Sequence, residues 1–464
     1  MNSSPQLGRI ISNLRSATAF RDQYSKPSTL MDRMAQLHTP AVSLAVIQDF
    51  EITESGSFGI CKVGASKPAT QDTLFQAGSI SKPVFAAAVM SLVQDKVLDL
   101  DEDINHYLKS WKVPSNRGWQ PRITLRQLLS HTAGTTVHGF PGYQSTEQLP
   151  TLQQILNGER PSNTPKVEVN ILPGLQFRYS GGGTTVAQLA VMEHLGETYP
   201  ELMKRLVFDP LGMNNSTFEN PLPAGLVVNS AVAHPAKSIP LTGGHHIYPE
   251  AAAAGLWTTA TDLATFGLAM LNSLHGQETA FLNQDTIRKM LEPQLPQERG
   301  KDEFIGLGFF CEDNNGDPFF GHSGWDAGFV AELKLYQRGG RGAVVMINSN
   351  EGHQLIGELM RAVADEYGWG AAPEIESTVS LSDLGPYIGQ YQTEQSQLFH
   401  IRESTGGLTL QYDHQSPLDF KPSSEQLFYS PELNSELSFE FDAEGNVLAL
   451  TIQQSDLELR AIKS

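Results

Sequence analysis

The chain has 464 residues, 40% of them hydrophobic, and its 51 acidic and 32 basic residues give a formal net charge of −19. This length exceeds one ordinary domain and predicts two. The negative charge would repel phosphate backbones and anionic membrane surfaces, which argues against nucleic acid as a partner. No apolar run reaches the length of a membrane span.

The compartment stays open at this point. Residues Met1 to Arg21 are mostly polar and lack the hydrophobic region of a signal peptide. The sequence as written predicts a cytoplasmic protein, or a periplasmic or secreted one if a leader has been removed. Cys61 and Cys311 are too few for a disulfide framework, and we interpret both as structural thiols, although the sequence alone allows one bridge.

The first predicted hairpin lies near the N-terminus. Ala41 to Ile47 is a short apolar run with β-branched residues, which favours a strand. We expect Ser57 to Gly64 to pair with it, with Ser55-Gly56 supplying the turn.

Ser79-Ile80-Ser81-Lys82 is the one Ser-x-x-Lys in the chain and precedes a helix predicted over Val84 to Val93. Three residues are just under one helical turn, so the Ser79 hydroxyl and the Lys82 amine share a face. Pro83 suits the first turn, which puts Ser79 beside unpaired N–H groups at the positive helix end. A serine nucleophile needs such a base. From this tetrapeptide alone, a catalytic pair and a helix cap beside a solvated lysine are equal alternatives.

The hydrophobic periodicity of the next 290 or so residues predicts both helices and strands. Helices are predicted at Leu125 to Ser130, Val186 to Leu195, Ala260 to Leu274 and Leu355 to Tyr367. Phe329 to Leu335 and Ala343 to Asn348 are predicted to form a hairpin through Gly339 to Gly342. These elements fit helices packed on an antiparallel sheet.

Two downstream segments are candidates to complete a catalytic site. Tyr179-Ser180-Gly181-Gly182-Gly183 is predicted to form a turn, and a tyrosine beside an ammonium can pass a proton to a leaving group. Gly321-His322-Ser323-Gly324-Trp325 leads into the hairpin, where a sheet edge can direct an N–H at a substrate carbonyl. Taken singly, Tyr179 is better explained as an ordinary half-buried aromatic residue. The segment around His322, taken singly, is better explained as a plain turn that leads into a strand.

Other candidate chemistry is weaker. His245-His246 lacks the spacing of a metal site, so we interpret it as a pair of loop histidines. No Gly-x-Ser-x-Gly occurs, which argues against a nucleophile-elbow hydrolase. We expect neither a metal nor a cofactor.

The pattern changes beyond Gly370. Residues 371–380 are polar and contain Pro373, and we interpret them as a linker. From residue 381 to 464, brief alternating segments such as Leu408 to Tyr412, Leu437 to Phe441 and Val447 to Ile452 are separated by turn signals. A small antiparallel barrel or sandwich is predicted. Its expected roles are packing against the first domain, lining its mouth, or mediating homo-oligomer formation.

Together, Ser79-x-x-Lys82, Tyr179-Ser180-Gly181 and His322-Ser323-Gly324 resemble the three ordered motifs of the penicillin-recognising serine hydrolases. The branch resembled contains class C β-lactamases, D-aminopeptidases, D-alanyl-D-alanine carboxypeptidases and β-lactamase-fold esterases. Residues 123–134 and 255–263 are similar to further family segments, and the resemblance covers about residues 31 to 369. The C-terminal region resembles, more weakly, the lipocalin-like appendage of some members.

The resemblance implies an α+β fold, with an antiparallel sheet flanked by helices and an all-helical subregion, in residues 1–370, followed by the small β-barrel. It implies acyl transfer by Ser79, with Lys82 and Tyr179 handling the proton and no metal. Which of these two is the base stays open. The implied oxyanion hole is formed by the N–H groups of Ser79 and Trp325. The substrate-binding residues would be Ser180, Gly181, His322, Ser323 and Gly324.

Two departures from the family pattern bear on the substrate. Class C β-lactamases carry asparagine where this chain has Gly181, so the contact to the substrate's acylamino group is missing. They carry lysine where this chain has His322, which is mostly neutral near pH 7 unless its pKa is raised. We therefore expect an esterase or a peptidase of small or D-configured substrates. The alternatives are a weak β-lactamase and a penicillin-binding sensor that acylates without turnover.

Overall fold

A computed structural model describes the protein. The described residues are 4–17, 19–20, 26–277, 281–314, 316–370, 374–375, 379, 381, 383–393, 396–412, 417–430, 435–454 and 457–464. The chain forms two compact units, Met1–Gly8 with Met31–Ile356, and Arg9–Leu30 with Gly357–Ser464. The domain boundaries expected at 370 and 381 stay a prediction, and most of the expected linker lies outside the described residues.

The α-helices of the described chain are, in order, α1 Pro5–Ile10, α2 Leu30–Gln36, α3 Ser81–Gln94, α4 Ile104–Tyr107, α5 Leu125–Leu129, α6 Leu152–Asn157, α7 Gly181–Leu195, α8 Tyr199–Met203, α9 Asp209–Leu211, α10 Ala224–Val227, α11 Ala251–Ala254, α12 Ala260–Leu274, α13 Gln284–Met290 and α14 His353–Tyr367. Short 3₁₀ or π turns are Gly78–Ile80, Lys204–Phe208, Pro296–Glu298 and Gly385–Tyr387. The helices predicted at Leu125 to Ser130, Val186 to Leu195, Ala260 to Leu274 and Leu355 to Tyr367 are therefore present, as α5, α7, α12 and α14.

The β-strands are β1 Ala19–Phe20, β2 Ala41–Gln48, β3 Glu51–Gly59, β4 Phe75–Gln76, β5 Trp257–Thr258, β6 Glu303–Ile305, β7 Phe310–Asn314, β8 Asp317–Asp326, β9 Phe329–Tyr336, β10 Arg341–Ile347, β11 Glu374–Ile375, β12 Gly389–Gln392, β13 Leu398–Ser404, β14 Gly407–Tyr412, β15 Leu418–Pro422, β16 Leu427–Ser430, β17 Ser435–Phe441, β18 Val447–Gln454 and β19 Leu457–Lys463. The predicted hairpin of β9 and β10 is confirmed.

The first unit is built on an antiparallel sheet of strand order β3-β2-β10-β9-β8-β7-β6. Helix α12 packs on this sheet, and Gly267 permits the close approach, since a Cβ there would lie 2.7 Å from Leu335 Cδ2. Trp257, Phe75 and Phe329 pack ring against ring in the core. The predicted antiparallel sheet flanked by helices is confirmed.

The first hairpin differs from the prediction. Ser55 and Gly56 lie inside β3, whereas the turn is formed by Asp49 and Phe50, whose φ angles are 54° and 63°. Positive φ at both central residues gives the twist that a two-residue hairpin requires. Phenylalanine is not a typical residue for this conformation, so the sequence signal favoured the wrong pair.

The helix after Tyr179 begins earlier than predicted. α7 starts at Gly181, inside the expected turn, and Ser180 is its N-cap. Glycine is a poor helix former, but here it permits close packing. A Cβ on Gly182 would lie 2.6 Å from the carbonyl oxygen of Thr136. The loop before α6 therefore lies directly on the start of this helix.

The second unit contains the predicted C-terminal barrel. Strands β12 to β19 form a closed antiparallel barrel. Its interior is filled by Tyr387, Tyr391, Phe428 and Phe439, whose rings pack edge to face. The Tyr391 hydroxyl donates a hydrogen bond to the Tyr387 carbonyl at 2.7 Å. No helix within the described residues is both long and apolar enough to cross a membrane.

Candidate active site

The first motif lies where the 3₁₀ turn Gly78–Ile80 meets α3. Lys82 is buried, with 5% of its surface exposed, and Ser79 is half-buried. Lys82 Nζ donates hydrogen bonds to Ser79 Oγ at 2.9 Å and to the carbonyl oxygen of Ala253 at 2.8 Å. The hydroxyl and the amine are thus in direct contact, and the lysine is not a solvated surface residue.

The turn that carries Ser79 is held by the other serine of the motif. Ser81 Oγ donates to the carbonyl of Gly78 at 2.6 Å and accepts from the backbone N–H of Leu256 at 3.0 Å. The N–H of Ala77 donates to the Leu256 carbonyl at 2.9 Å. These bonds fix the turn against the segment between α11 and β5, which preorganises Ser79.

Tyr179 lies beside the pair. Lys82 Nζ is 4.9 Å from the centre of the Tyr179 ring, and the ring is half-buried. His131 packs on the same ring at 4.3 Å between centroids. Its Nδ1 accepts a hydrogen bond from the N–H of Ser180 at 3.1 Å, so the neutral ring carries its proton on Nε2. Burial, and then the charge of Lys82, lowers the pKa of His131.

Ser180 and Gly181 are both buried. Ser180 Oγ donates to the carbonyl of Thr136 at 2.7 Å and accepts from the N–H of Gly183 at 2.9 Å. Its hydroxyl is therefore engaged in the helix cap. A Cβ on Gly181 would lie 2.9 Å from Cε2 of Phe140, so that ring stands where a side chain at 181 would project. A substrate contact by either residue stays a prediction.

The third motif lies on an open strand edge. β7 pairs with β8 only from Asp317 to Gly321, so within the described chain the following residues of β8 have a partner strand on the β9 side alone. A Cβ on Gly78 would be 2.6 Å from the Trp325 nitrogen, and one on Gly324 would be 3.2 Å from the Ser79 nitrogen. The backbone nitrogens of Ser79 and Trp325 are therefore close neighbours at this edge.

His322 and Ser323 project to opposite faces of β8. His322 is buried and its Nδ1 donates to the carbonyl of Ser323 at 2.5 Å, while the Ser323 side chain is exposed. His322 Nε2 is buried and has no hydrogen-bond partner among the described residues. Burial, followed by the charge of Lys82, lowers the His322 pKa to about 3. At neutral pH this ring is therefore uncharged, with an unshared acceptor on Nε2.

Buried acids near the nucleophile were missed by sequence reasoning. Asp326 follows the third motif and is 3% exposed, and its Oδ2 has no hydrogen-bond partner among the described residues. Burial raises its pKa, and Lys82 opposes that shift. Glu250, which precedes α11, is fully buried with a pKa of about 8 for the same reason. For Asp326, the position next to Trp325 was the one sequence signal that could have drawn attention to this acid.

A family model described as Beta-lactamase matches residues 28–366. The chain belongs to the β-lactamase family. This family assignment covers the whole set of motif residues described above, and it agrees with the resemblance seen in the sequence.

Two curated relatives carry different names. The chain is similar to penicillin-binding protein 4 of Amycolatopsis lactamdurans, with 23% identity over 377 residues that cover 77% of this chain and 94% of that protein. It is also similar to esterase EstB of Burkholderia gladioli, with 27% identity over 187 residues, 38% of this chain and 47% of that esterase. One of these relatives is thus named as a penicillin-binding protein and the other as an esterase.

Solved structures share the fold. The octameric penicillin-binding protein homologue from Pyrococcus abyssi matches with a TM-score of 0.65 and 21% identity, over 94% of this chain and 98% of that chain. The D-amino acid amidase from Ochrobactrum anthropi SV3, complexed with L-phenylalanine, matches with a TM-score of 0.56 and 22% identity, over 73% and 95%. The predicted α+β fold of this family is confirmed.

The histidine pair that we interpreted as loop histidines, His245 and His246, has separate structural partners. The His245 ring packs on Trp257 at 4.9 Å, and His246 Nδ1 donates to the carbonyl of Pro141 at 2.9 Å. No cluster of three or more metal-ligating side chains occurs in the described ranges.

Proposed function

We propose that this protein is a serine hydrolase that forms an acyl-enzyme on Ser79, and that it acts as an esterase or a peptidase on small or D-configured substrates. The observation that carries the proposal is the 2.9 Å contact between Lys82 Nζ and Ser79 Oγ beside the Tyr179 ring. A buried amine in contact with a hydroxyl is the arrangement that activates a serine nucleophile.

The proposed reaction has two steps. Ser79 Oγ attacks the substrate carbonyl carbon, its proton passes to the Lys82 and Tyr179 pair, and that pair protonates the leaving alcohol or amine as its bond to the carbonyl breaks. Water then attacks the serine ester, the pair takes the water's proton and returns one to Ser79, and the acid is released. Each transfer by a positioned acid–base group is worth about 10²–10⁴ in rate.

The negative charge that develops on the carbonyl oxygen needs donors. We propose the backbone N–H groups of Ser79 and Trp325, because the glycines at 78 and 324 allow the turn and the strand to approach closely. Two fixed donors stabilise the tetrahedral intermediate without reorganisation. The open edge of β8 would pair with the backbone of an extended substrate.

The site favours substrates without a free carboxylate. His322 replaces the permanent cation of the penicillin-hydrolysing branch with a neutral ring, since burial lowers its pKa to about 3. A carboxylate there would lose its water without gaining an opposite charge. This supports an ester or amide substrate over a β-lactam, and it leaves weak β-lactamase activity, or a sensor that acylates without turnover, as the second candidate.

Intact-mass measurement and a substrate panel test the proposal. The panel is short acyl esters, D-amino-acid amides and a chromogenic cephalosporin, with Ser79→Ala as the matched control. We expect turnover of an ester or amide, slow or no cephalosporin hydrolysis, and loss of all activity in Ser79→Ala. A lasting adduct on Ser79 with no product favours the sensor. Normal rates in Ser79→Ala would sink the mechanism.

We also propose that the chain forms a homo-oligomer through its C-terminal barrel. Support comes from the octameric homologue, which is matched over 94% of this chain, barrel region included. Light scattering of the full chain should give a mass of several protomers, whereas a mass near 50.8 kDa contradicts the proposal.

A further inference from the structure

Further aromatic rings pack around Tyr179, the one ring that the proposed reaction uses. Tyr179 stacks on Phe310 with 6.3 Å between centroids and 13° between planes, and His138 packs on Tyr179 at 4.9 Å. Phe310 in turn contacts Phe177 at 6.0 Å and His322 at 5.2 Å. The surface, called here the aromatic wall, consists of His138, Phe177, Tyr179, Phe310 and His322, together with Phe140, which follows His138 by two residues and packs on Gly181.

Apart from buried His322, the wall is accessible and not part of the core. The rings of Phe140, Phe177, Tyr179 and Phe310 are half-buried, and His138 is exposed. Core aromatics of this unit, such as Phe75 and Phe329, are fully buried. A phenylalanine kept half-exposed beside a reactive pair retains a face that a ligand can cover, and covering it removes apolar surface from water.

Phe140 takes its place because residue 181 is glycine. A Cβ at Gly181 would lie 2.9 Å from Phe140 Cε2 and 3.4 Å from its Cδ2, so the ring edge rests on the Gly181 Cα. Gly181 follows Tyr179 by two residues and is the first residue of α7. The phenylalanine therefore fills the position of a missing side chain two residues along the chain from Tyr179 of the proposed proton relay.

The loop that carries Phe140 is fixed to the same helix end. The N–H of Gly181 donates to the His138 carbonyl at 2.9 Å, and the N–H of Gly182 donates to the Val137 carbonyl at 3.0 Å. Val137 has φ of 66°, a conformation that a β-branched residue adopts only when its surroundings impose it. Phe140 is thus held in a defined position.

The phenylalanines of the wall also supply no ionic partner for a substrate. Phe140, Phe177 and Phe310 are apolar, and buried His322 is neutral at pH 7. The nearby Lys82 already donates to Ser79 and to the Ala253 carbonyl. A charged substituent against these rings would be desolvated without compensation.

We propose that Phe140 is a specificity-determining residue, and that the aromatic wall selects uncharged substrates whose acyl group carries an aromatic or branched apolar substituent. This inference rests on the proposed function, because the wall meets a substrate only if Ser79 is the nucleophile. It adds which substituent the site accepts.

The rate of Ser79 labelling by 4-nitrophenyl phosphonates tests the inference in the full chain, followed by intact mass. Three probes differ only in the substituent on phosphorus: methyl, benzyl or carboxyethyl. Labelling needs no turnover, so the measurement also works if the protein is a sensor that acylates without releasing product. In the native protein we expect the benzyl probe to label Ser79 about tenfold faster than the methyl probe, which is the discrimination that a small apolar group in a pocket typically gives. We expect the carboxyethyl probe to be slowest.

Phe140→Ala should reduce the benzyl-to-methyl ratio about fivefold and leave the methyl rate within about twofold, because only the apolar contact is lost. Phe140→Leu keeps apolar volume and should be intermediate. Gly181→Ala should displace the ring and lower the ratio, with no further effect in the Phe140→Ala background. The matched control is Phe50→Ala, a half-buried phenylalanine that packs on Gly340 and His275 at the other end of the sheet.

The outcomes separate the two proposals. Three outcomes overturn the role of the wall and leave Ser79 as the nucleophile. These are an unchanged benzyl-to-methyl ratio in Phe140→Ala, an equal loss of labelling rate for both of these probes, and a native protein that reacts fastest with the carboxyethyl probe. Failure of every probe to label the folded native chain overturns the proposed function, and this inference with it.

Discussion

Gly324 and Ala77 are in contact through their backbones: a Cβ on Gly324 would lie 1.9 Å from the carbonyl oxygen of Ala77. No side chain fits there without moving the strand away from the turn. The same approach brings the Trp325 nitrogen against Gly78, whose φ of 51° itself favours glycine. The separation of the two proposed oxyanion donors therefore depends on these two glycines.

Gly324→Ala should lower kcat/KM about 100-fold, because moving β8 away from Ser79 costs about one oxyanion-hole donor. We expect a stability loss of roughly 1–3 kcal/mol from overpacking. Ester hydrolysis and denaturant unfolding measure the two effects separately.

Gly225→Ala is the matched control, since a Cβ there meets nothing within 4 Å. It should keep full activity and gain a few tenths of a kcal/mol from helix propensity, up to about 1 kcal/mol. Near-native activity in Gly324→Ala would mean that the proposed oxyanion hole is assembled elsewhere.

Local patterns predicted the reactive pair, whereas long-range contacts were beyond the sequence. Ser79 and Lys82 are three residues apart, so helix geometry alone put them together. The contact of Gly324 with Ala77 joins two segments that no local rule relates. The burial of Glu250 depends on everything packed around it, so its perturbed pKa had no local signature.

Most of the secondary structure was predictable from the sequence, because it also follows from local patterns. α12 follows its apolar periodicity and coincides with the predicted bounds, Ala260 to Leu274. The start of α7 was placed too late, because three glycines indicate a turn locally and their role in tertiary packing against the loop is not encoded in helix propensity. Propensity was overridden by a close contact.

Lys82→Met and Tyr179→Phe should each lower kcat/KM about 10²–10⁴-fold if both groups take part in one proton transfer. The double variant should then be no worse than about the slower single variant, since groups that act as a unit are not additive. Steady-state ester hydrolysis measures all three.

Tyr412→Phe, at an exposed tyrosine of the barrel, should leave the rate unchanged and serves as control. Fully multiplicative losses in the double variant would contradict a shared relay and assign the two residues independent roles.

Cys61 and Cys311 should not react with a thiol reagent in the native protein. Both are free and buried, with 3% and 1% exposure, and burial raises the Cys311 pKa, which disfavours the reactive thiolate. Two thiols should titrate in concentrated guanidinium chloride, and Cys61→Ser and Cys311→Ser would assign them. Rapid native reaction of either would show that its segment opens locally.

Glu250 should make stability fall as pH rises. Its carboxyl is fully buried, neither oxygen has a hydrogen-bond partner among the described residues, and burial raises its pKa from 4.5 to about 8. Between these values the folded state keeps a proton that the unfolded state releases. Its contribution is therefore largest below about pH 4.5 and declines until about pH 8, by roughly 5 kcal/mol.

Glu250→Gln preserves the shape of the side chain and removes this titration. The free energy of unfolding, followed by tryptophan fluorescence, should therefore exceed that of the native protein by more at about pH 8.5 than at about pH 5.5. Subtracting the native curve cancels the opposite slope from His322, whose lowered pKa stabilises the fold as pH rises. Glu219→Gln, an exposed acid in the same unit, should give a difference independent of pH. If Glu250→Gln, like the control, changes the free energy of unfolding by the same amount at both pH values, the Glu250 carboxyl is ionised in the folded state. A compensating partner for its charge must then exist.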